Sequence, residues 1–255
     1  MQQPVRVLAL FAHPDDAEFL CAGTLALLAA RGAVITIATM SAGDCGSVKL
    51  SPAKISSIRQ GEAAQAARQI GARYACLGGK DLSIFYDRTT LSGVVELVRR
   101  RRPQVSFTHS PADYMADHET TSQLCQTACF GAMAPNYRTG RRPAAKPLCE
   151  VPYLYYADPL GRKDILGQRI PSAMYVDIGE TLKHKKAMLA CHRSQRAWLA
   201  TQQQISDPES LMLKMAEEAG QCAGVRWAEG FRQHLGQGFP QDNLLARLLS
   251  AQVHR

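Results

Sequence analysis

The sequence has no uninterrupted apolar run of the ~18 residues that a membrane helix requires, so a helical span is not expected. It has no CxxC pair. Its eight cysteines, at positions 21, 45, 76, 125, 129, 149, 191 and 222, are scattered singly, which excludes a dense disulfide scaffold and reads as reduced thiols. Cys125 and Cys129 stand four apart on an expected helix, but without a second pair they do not complete a closed four-ligand zinc site. The apolar start, MQQPVRVLALFAHPDD, is broken by Asp15 and Asp16 before an export signal takes shape, and is read as a strand. These absences together predict a soluble, cytoplasmic protein. Aromatic residues are few, at 7%, and do not interleave with basic ones, so the formal net charge of +8 has no nucleic-acid-binding module behind it. No repeat and no linker divides the 255 residues, and a single domain over 1–255 is expected.

What is present is a regular alternation. Residues 5–11 and 34–40 are short apolar runs of strand formers, with 74–77, 105–109, 151–156 and 174–176 as further strands. Helical stretches lie between them. One runs from about residue 17 to Gly32; a second opens at Ser51 and Pro52 and ends at Gly71. A third is capped by Thr90, striped with Leu91, Val94, Val95 and Val98, and stopped by Pro103. Later ones cover about 178–191 and 208–219. The arginine run 99–102 reads as solvated cations favoured at a helix C-terminus, and 134–147, rich in Pro, Arg and Gly, as an exposed loop. Strands alternating with helices predict an α/β fold with a mainly parallel sheet and helices on both faces. Sites in such sheets form beyond the carboxyl ends of strands, so the loops after residues 11, 40, 77 and 109 should share one rim.

Two His/Asp clusters fall on that rim. In AHPDDAEF, His13 and Asp16 stand three apart where a strand ends, and imidazole with carboxylate suits zinc. The competing reading makes Asp15 or Asp16 a helix cap. The second cluster, HSPADYMADH (109–118), favours the metal: His118 is the expected third ligand, with Asp113 and Asp117 as carboxylates that fix its ring tautomer. Three protein ligands leave a position open for water, the arrangement of a catalytic zinc site. Iron(II) or another divalent ion would fit the same ligands.

The sequence resembles the PIG-L/LmbE-like zinc-dependent N-deacetylases, whose AHPDD motif with a following Glu appears here as AHPDDAE. The resemblance extends to SAGD (41–44), to Arg59 and Glu62, to the Asp81 loop, to DYMADH and to CHRSQ (191–195). It implies a Rossmann-like fold, with His13, Asp16 and His118 as zinc ligands and Asp15 as general base. It also implies Arg59 and Asp81 as contacts to substrate hydroxyls. The implied reaction is removal of an acetyl group from an amide nitrogen, on an N-acetylglucosamine-type sugar or sugar conjugate, and the implied partner is that small molecule. Protomers could also associate as a homo-oligomer.

One departure bears on the chemistry. The family pattern commonly reads HPDH at positions 115–118, its first His serving the oxyanion; here the tetrapeptide is MADH, and the Met115 thioether cannot donate that hydrogen bond. His109 is the nearest substitute, with His192 and Tyr114 behind it. A metal- and sugar-binding protein without turnover is the alternative function that Met115 raises. Arg59 and Glu62, three apart on a helix, also read as an exposed ion pair, and Asp81 as a turn residue. The Gly-rich loop SAGDCGS carries Cys45 but is not a phosphate-binding motif, and no histidine near it in sequence points to a cysteine nucleophile.

Overall fold

The computed structural model describes residues 3–202 and 207–254. The first strand, β1 (Arg6–Phe11), lies in the middle of an eight-stranded sheet. It pairs in parallel with β2 (Val34–Ser41) on one side and with β4 (Val105–Thr108) on the other. β3 (Arg73–Gly79) extends the sheet beyond β2, and β5 (Tyr153–Ala157) extends it beyond β4, both in parallel. The expected parallel α/β sheet is therefore present over five strands. Beyond β5 come three antiparallel strands, in the order β7 (Ala228–Gln233), β6 (Met174–Asp177) and β8 (Val253–His254). β7 and β8 were not anticipated from the sequence.

β1 reads as continuously apolar because both of its faces are covered. Val7, Ala9 and Phe11 pack with Leu25 and Leu28 of α2 (Ala22–Ala30) and Met188 of α6 (Leu182–Leu189). Leu8 and Leu10 face Val94, Val95 and Val98 of α4 (Arg88–Arg101), together with Leu124 and Ala128 of α5 (Ala116–Gly131). The strand order reverses direction at β1, with β2 to one side and β4 to the other. The loops that leave β1 and β4 thus open side by side, the crevice in which doubly wound sheets bind ligands.

Three local expectations are corrected. The helix from residue 17 is broken at Cys21 (φ −147°) into α1 (Asp16–Leu20) and α2. Glu229 on β7 accepts from the backbone N–H groups of Gly23 and Thr24 and so caps the second piece, while Lys185 Nζ takes the freed carbonyl of Phe19 at 2.7 Å. The cap of α4 is Asp87, which accepts from Thr90 N at 2.7 Å, rather than Thr90 itself. Arg99 is buried instead of solvated: its guanidinium donates to the carbonyls of Ala132, Ala134 and Tyr137, tying the start of the exposed 134–147 loop to the helix. The remaining major helices are α3 (Pro52–Arg68), capped by Ser51 as expected, then α7 (Arg193–Gln202) and α8 (Pro208–Ala223). Among the described residues no helix is long and apolar enough to cross a membrane.

Candidate metal centre

The turn after β1 places Asp15 at φ 98°, a left-handed conformation that costs a non-glycine residue on the order of 1–3 kcal/mol. Although Asp15 precedes α1, its carboxylate makes no capping bond. Asp16 reaches back to accept from the His13 backbone N–H at 2.7 Å. The capping reading of the two acids therefore fails, and both side chains turn to the rim.

His13, Asp16 and His118 converge there, one donor atom of each lying within 4.8 Å of the others. His13 Nδ1 is 3.5 Å from Asp16 Oδ2 and His118 Nε2 is 3.7 Å from Asp16 Oδ1. Two ligands at zinc distances of about 2.0–2.1 Å in tetrahedral geometry stand about 3.3 Å apart, so the spacing suits a shared cation. The far ring nitrogens are held by carboxylates: His13 Nε2 lies 3.0 Å from Asp117 Oδ2, and His118 Nδ1 2.9 Å from Asp113 Oδ1. Such partners fix the tautomer and aim the other nitrogen at the metal.

The electrostatics of the metal-free centre call for positive charge. Burial opposes a proton on His13, but hydrogen bonds to Asp117 and Asp16 and the charges of Asp16 and Asp81 outweigh it and lift its pKa to about 10. Burial likewise opposes charge on Asp16, yet the charges of His118 and His109 hold its carboxyl well below the usual range. Asp15 goes the other way. Burial, only partly offset by Arg59, pushes its carboxyl up to about 7. One acid is thus kept ionised beside the imidazoles, and its neighbour is poised to exchange a proton near neutrality.

Arg59 and Glu62 of α3 do not pair with each other. Arg59 is buried and reaches under the turn, donating to Pro14 O at 2.8 Å and Gly43 O at 3.3 Å, with Nη2 3.6 Å from Asp15. Gly43 has φ +74°, and a Cβ there would stand 2.1 Å from Arg59 Nη1, so the SAGD glycine is what admits the guanidinium. Glu62 accepts from Ser194 N and Oγ at the start of α7. Asp81 accepts from Ser41 Oγ at 2.6 Å and Cys45 N at 3.0 Å. Arg59 and Asp81 both reach the cavity, but their bonding is directed at the protein. Burial and the charges of Asp44 and Asp81 push the Cys45 thiol up, against nucleophilic use.

A cavity of about 270 Å³ opens on the centre, walled by His13, Asp15, Asp16 and His118 and by Tyr114 and Met115. His109 is not on this wall. It is fully buried, its Nε2 receives the Ala12 N–H at 3.0 Å and lies 3.1 Å from Asp16, and its ring stacks on His118 at 3.9 Å. Burial and the charge of His118 hold its pKa down to about 4. That placement corrects the expectation of a donor facing the substrate: His109 backs the ligand set. His192 lies behind Asp15, 3.5 Å from Glu18. The residues that sequence reasoning missed are apolar ones in the same lining, including Phe19, Trp198 and Leu211.

Residues 8–129 match the family model described as PIG-L: GlcNAc-PI de-N-acetylase. Over 148 residues the chain is 30% identical to 4-oxalmesaconate hydratase of Pseudomonas putida, a match that covers 55% of this chain and 57% of that enzyme's length. In fold it is similar to N,N'-diacetylchitobiose deacetylase from Pyrococcus horikoshii, with TM-score 0.77 and 23% identity over 93% of this chain and 86% of that one. It is also similar to 4-carboxy-2-hydroxymuconate hydratase from Pseudomonas putida, with TM-score 0.73 and 23% identity over 94% and 100%. At these identities the structural likeness speaks for the fold. The stretch that matches the PIG-L model, just under half of the chain, carries every His and Asp gathered at the centre.

Proposed function

We propose that the chain is a zinc-dependent hydrolase that removes an acetyl group from an amide nitrogen of an N-acetylglucosamine-type sugar or sugar conjugate. The observation that carries this reading is the position of Asp15. It stands on the same cavity wall as the three candidate ligands, yet belongs neither to the ligand set nor to a helix cap. A zinc ion held by His13, Asp16 and His118 would supply Lewis acidity toward water and the acyl carbonyl, and iron(II) would suit the same donors. Asp15 takes the proton of the attacking water and returns it to the departing amine nitrogen, work suited to a carboxyl held near 7. Tyr114, packed edge-on against His118 at 5.2 Å, offers the donor that Met115 lacks. Burial and the charges of Asp16, Asp113 and Asp15 raise its phenol and keep it protonated.

Acetate release from a panel of N-acetyl sugars, run on protein whose zinc has been quantified, tests the reading. Asp15→Asn is expected to lower kcat by about 10²–10⁴ while zinc content stays the same. Undiminished acetate release by the variant removes Asp15 as the base. The match to a hydratase favours a second reading, in which the same centre adds water across a carbon–carbon double bond. Loss of the ultraviolet absorbance of a conjugated unsaturated dicarboxylate, with no acetate from any amide, selects it.

A further inference from the structure

The end of α4 and the 134–147 loop meet at the edge of the sheet where the parallel strands begin, opposite the rim that carries the metal centre. Arg6, at the start of β1, donates through Nε to Arg102 O at 2.7 Å and fixes that end. Two charged side chains of α4 are buried to hold the loop. Arg99 binds the carbonyls at its start, and Glu96 accepts from Thr139 Oγ1 at 2.7 Å and from Ala145 N at 3.0 Å. Arg100 pairs with Glu96 and donates to Pro143 O, both at 2.7 Å. Burying charge is costly unless it is paired and bonded, so the path of the loop is fixed. What it fixes is a row of cations. Arg138, Arg141, Arg142 and Lys146 are exposed on it, beside Arg102 and the half-buried Arg101, and none of the six has an ion pair among the described residues. Arg101 Nε has no hydrogen-bond partner there either.

We propose that this face binds the phosphate backbone of duplex nucleic acid without regard to base sequence, at the end of the molecule away from the metal centre. The formal net charge of the chain is +8, and the face gathers its cations against one exposed acid, Glu150, that follows the loop. Like charges held this close repel one another, and a polyanion relieves them. Arginines outnumber lysine here, and their planar forks meet phosphate oxygens two at a time. Among the described residues no large apolar side chain of 96–104 or 134–148 is exposed. Nothing is therefore offered for insertion into a bilayer or for stacking on unpaired bases. A duplex asks for neither, since neutralising its phosphates and releasing their counterions supplies the affinity. The inference is independent of the deacetylase reading.

Fluorescence anisotropy of a labelled DNA duplex of about 20 base pairs, titrated with the full chain between about 50 and 200 mM salt, tests the face. The logarithm of the binding constant is expected to fall with the logarithm of salt at a slope of about 4–5, as contact with about five phosphates requires. Arg141→Gln combined with Arg142→Gln should weaken binding at least about tenfold at about 100 mM salt and cut the slope by about 2. Lys54→Gln combined with Lys183→Gln makes the same charge change on exposed lysines of α3 and α6, and should move neither quantity by half as much. A thermal melt checks that both double variants are folded. Equal losses in the two double variants, or a slope below about 2 in the wild-type protein, overturn the inference. So does tighter binding to a single strand, or to phosphatidylglycerol vesicles, than to the duplex at equal phosphate concentration.

Discussion

The Lys185–Glu229 pair and the His13–Asp16–His118 cluster are both buried and both mix acids with bases, yet only the first closes on itself. Glu229 accepts from Lys185 Nζ at 2.6 Å, from the N–H groups of Gly23 and Thr24, and from Thr24 Oγ1. Lys185 spends a second donor on Phe19 O. One cation meets one anion, and helix ends complete the set, so the pair pins the break between α1 and α2. Across α1, three aspartates crowd His13, and Asp113 Oδ2 and His109 Nδ1 have no hydrogen-bond partner among the described residues. Residue types alone do not separate a structural cluster from a functional one. What separates them is whether the protein satisfies its own charges.

Lys185→Ala is the harshest test of that contrast. Removing one partner leaves Glu229 ionised in a dry site, a change that costs about 3–5 kcal/mol for a buried pair. Urea unfolding of the metal-free protein should show a loss of that size. A loss under about 1 kcal/mol would mean that Glu229 is served by the helix N–H groups alone and that the pair is not closed in the sense argued.

Asp117→Asn applies the milder, opposite test. The amide keeps an acceptor for Leu82 N, which now bonds Asp117 at 2.7 Å, but removes one of the charges around His13. Zinc affinity is expected to fall by about 10–100-fold, the usual effect of losing a carboxylate behind a ligand histidine, while the metal-free protein still folds and loses only what the Asp117 charge contributes through the His13 proton. Competition against a chelator gives the first number and a thermal melt the second. A variant that unfolds without losing zinc affinity would put Asp117 in the same class as Glu229.

The two regions also differ in how far they could be read in advance. The metal centre is written in two short stretches, AHPDD and MADH, and the parallel order of β4, β1 and β2 brings the loops that carry them together. Of its supporting acids, Asp113 sits five residues from His118, which it holds, and was legible for that reason, whereas Asp117, expected on the same ring, instead holds His13 across 104 positions. Glu229 meets Thr24 across 205 positions on an antiparallel strand whose sequence, AEGFRQ, has little of the β-branched content that marks a strand. No local pattern announces such a contact. The α4 cap slipped because Asp87 and Thr90 are both cap formers three residues apart, and only the turn geometry chooses between them. His109 was misplaced for a related reason: proximity in sequence to the ligands said nothing of which side of His118 it occupies.

The pH dependence of zinc binding probes the unbalanced charge itself. A ligand histidine must be neutral, so binding displaces whatever proton it holds. In an ordinary histidine, with pKa near 6.5, that competition ends above about pH 7. His13, raised to about 10 because its acidic neighbours outweigh its burial, keeps a proton through the whole neutral range. Without metal that proton stabilises the fold: its contribution is fully present below the unfolded value of 6.5 and is lost as pH rises through about 10. With metal the sign reverses, because zinc and proton compete. Apparent affinity should therefore keep rising by about tenfold for each unit between pH 7 and 8.5, after correction for the chelator's own protonation. Asp117→Asn should flatten the slope, since it removes a group that holds the proton in place. A plateau in the wild-type protein above pH 7 would show that the carboxylates are not left wanting a cation, and the distinction between the two buried clusters would fail at its physical root.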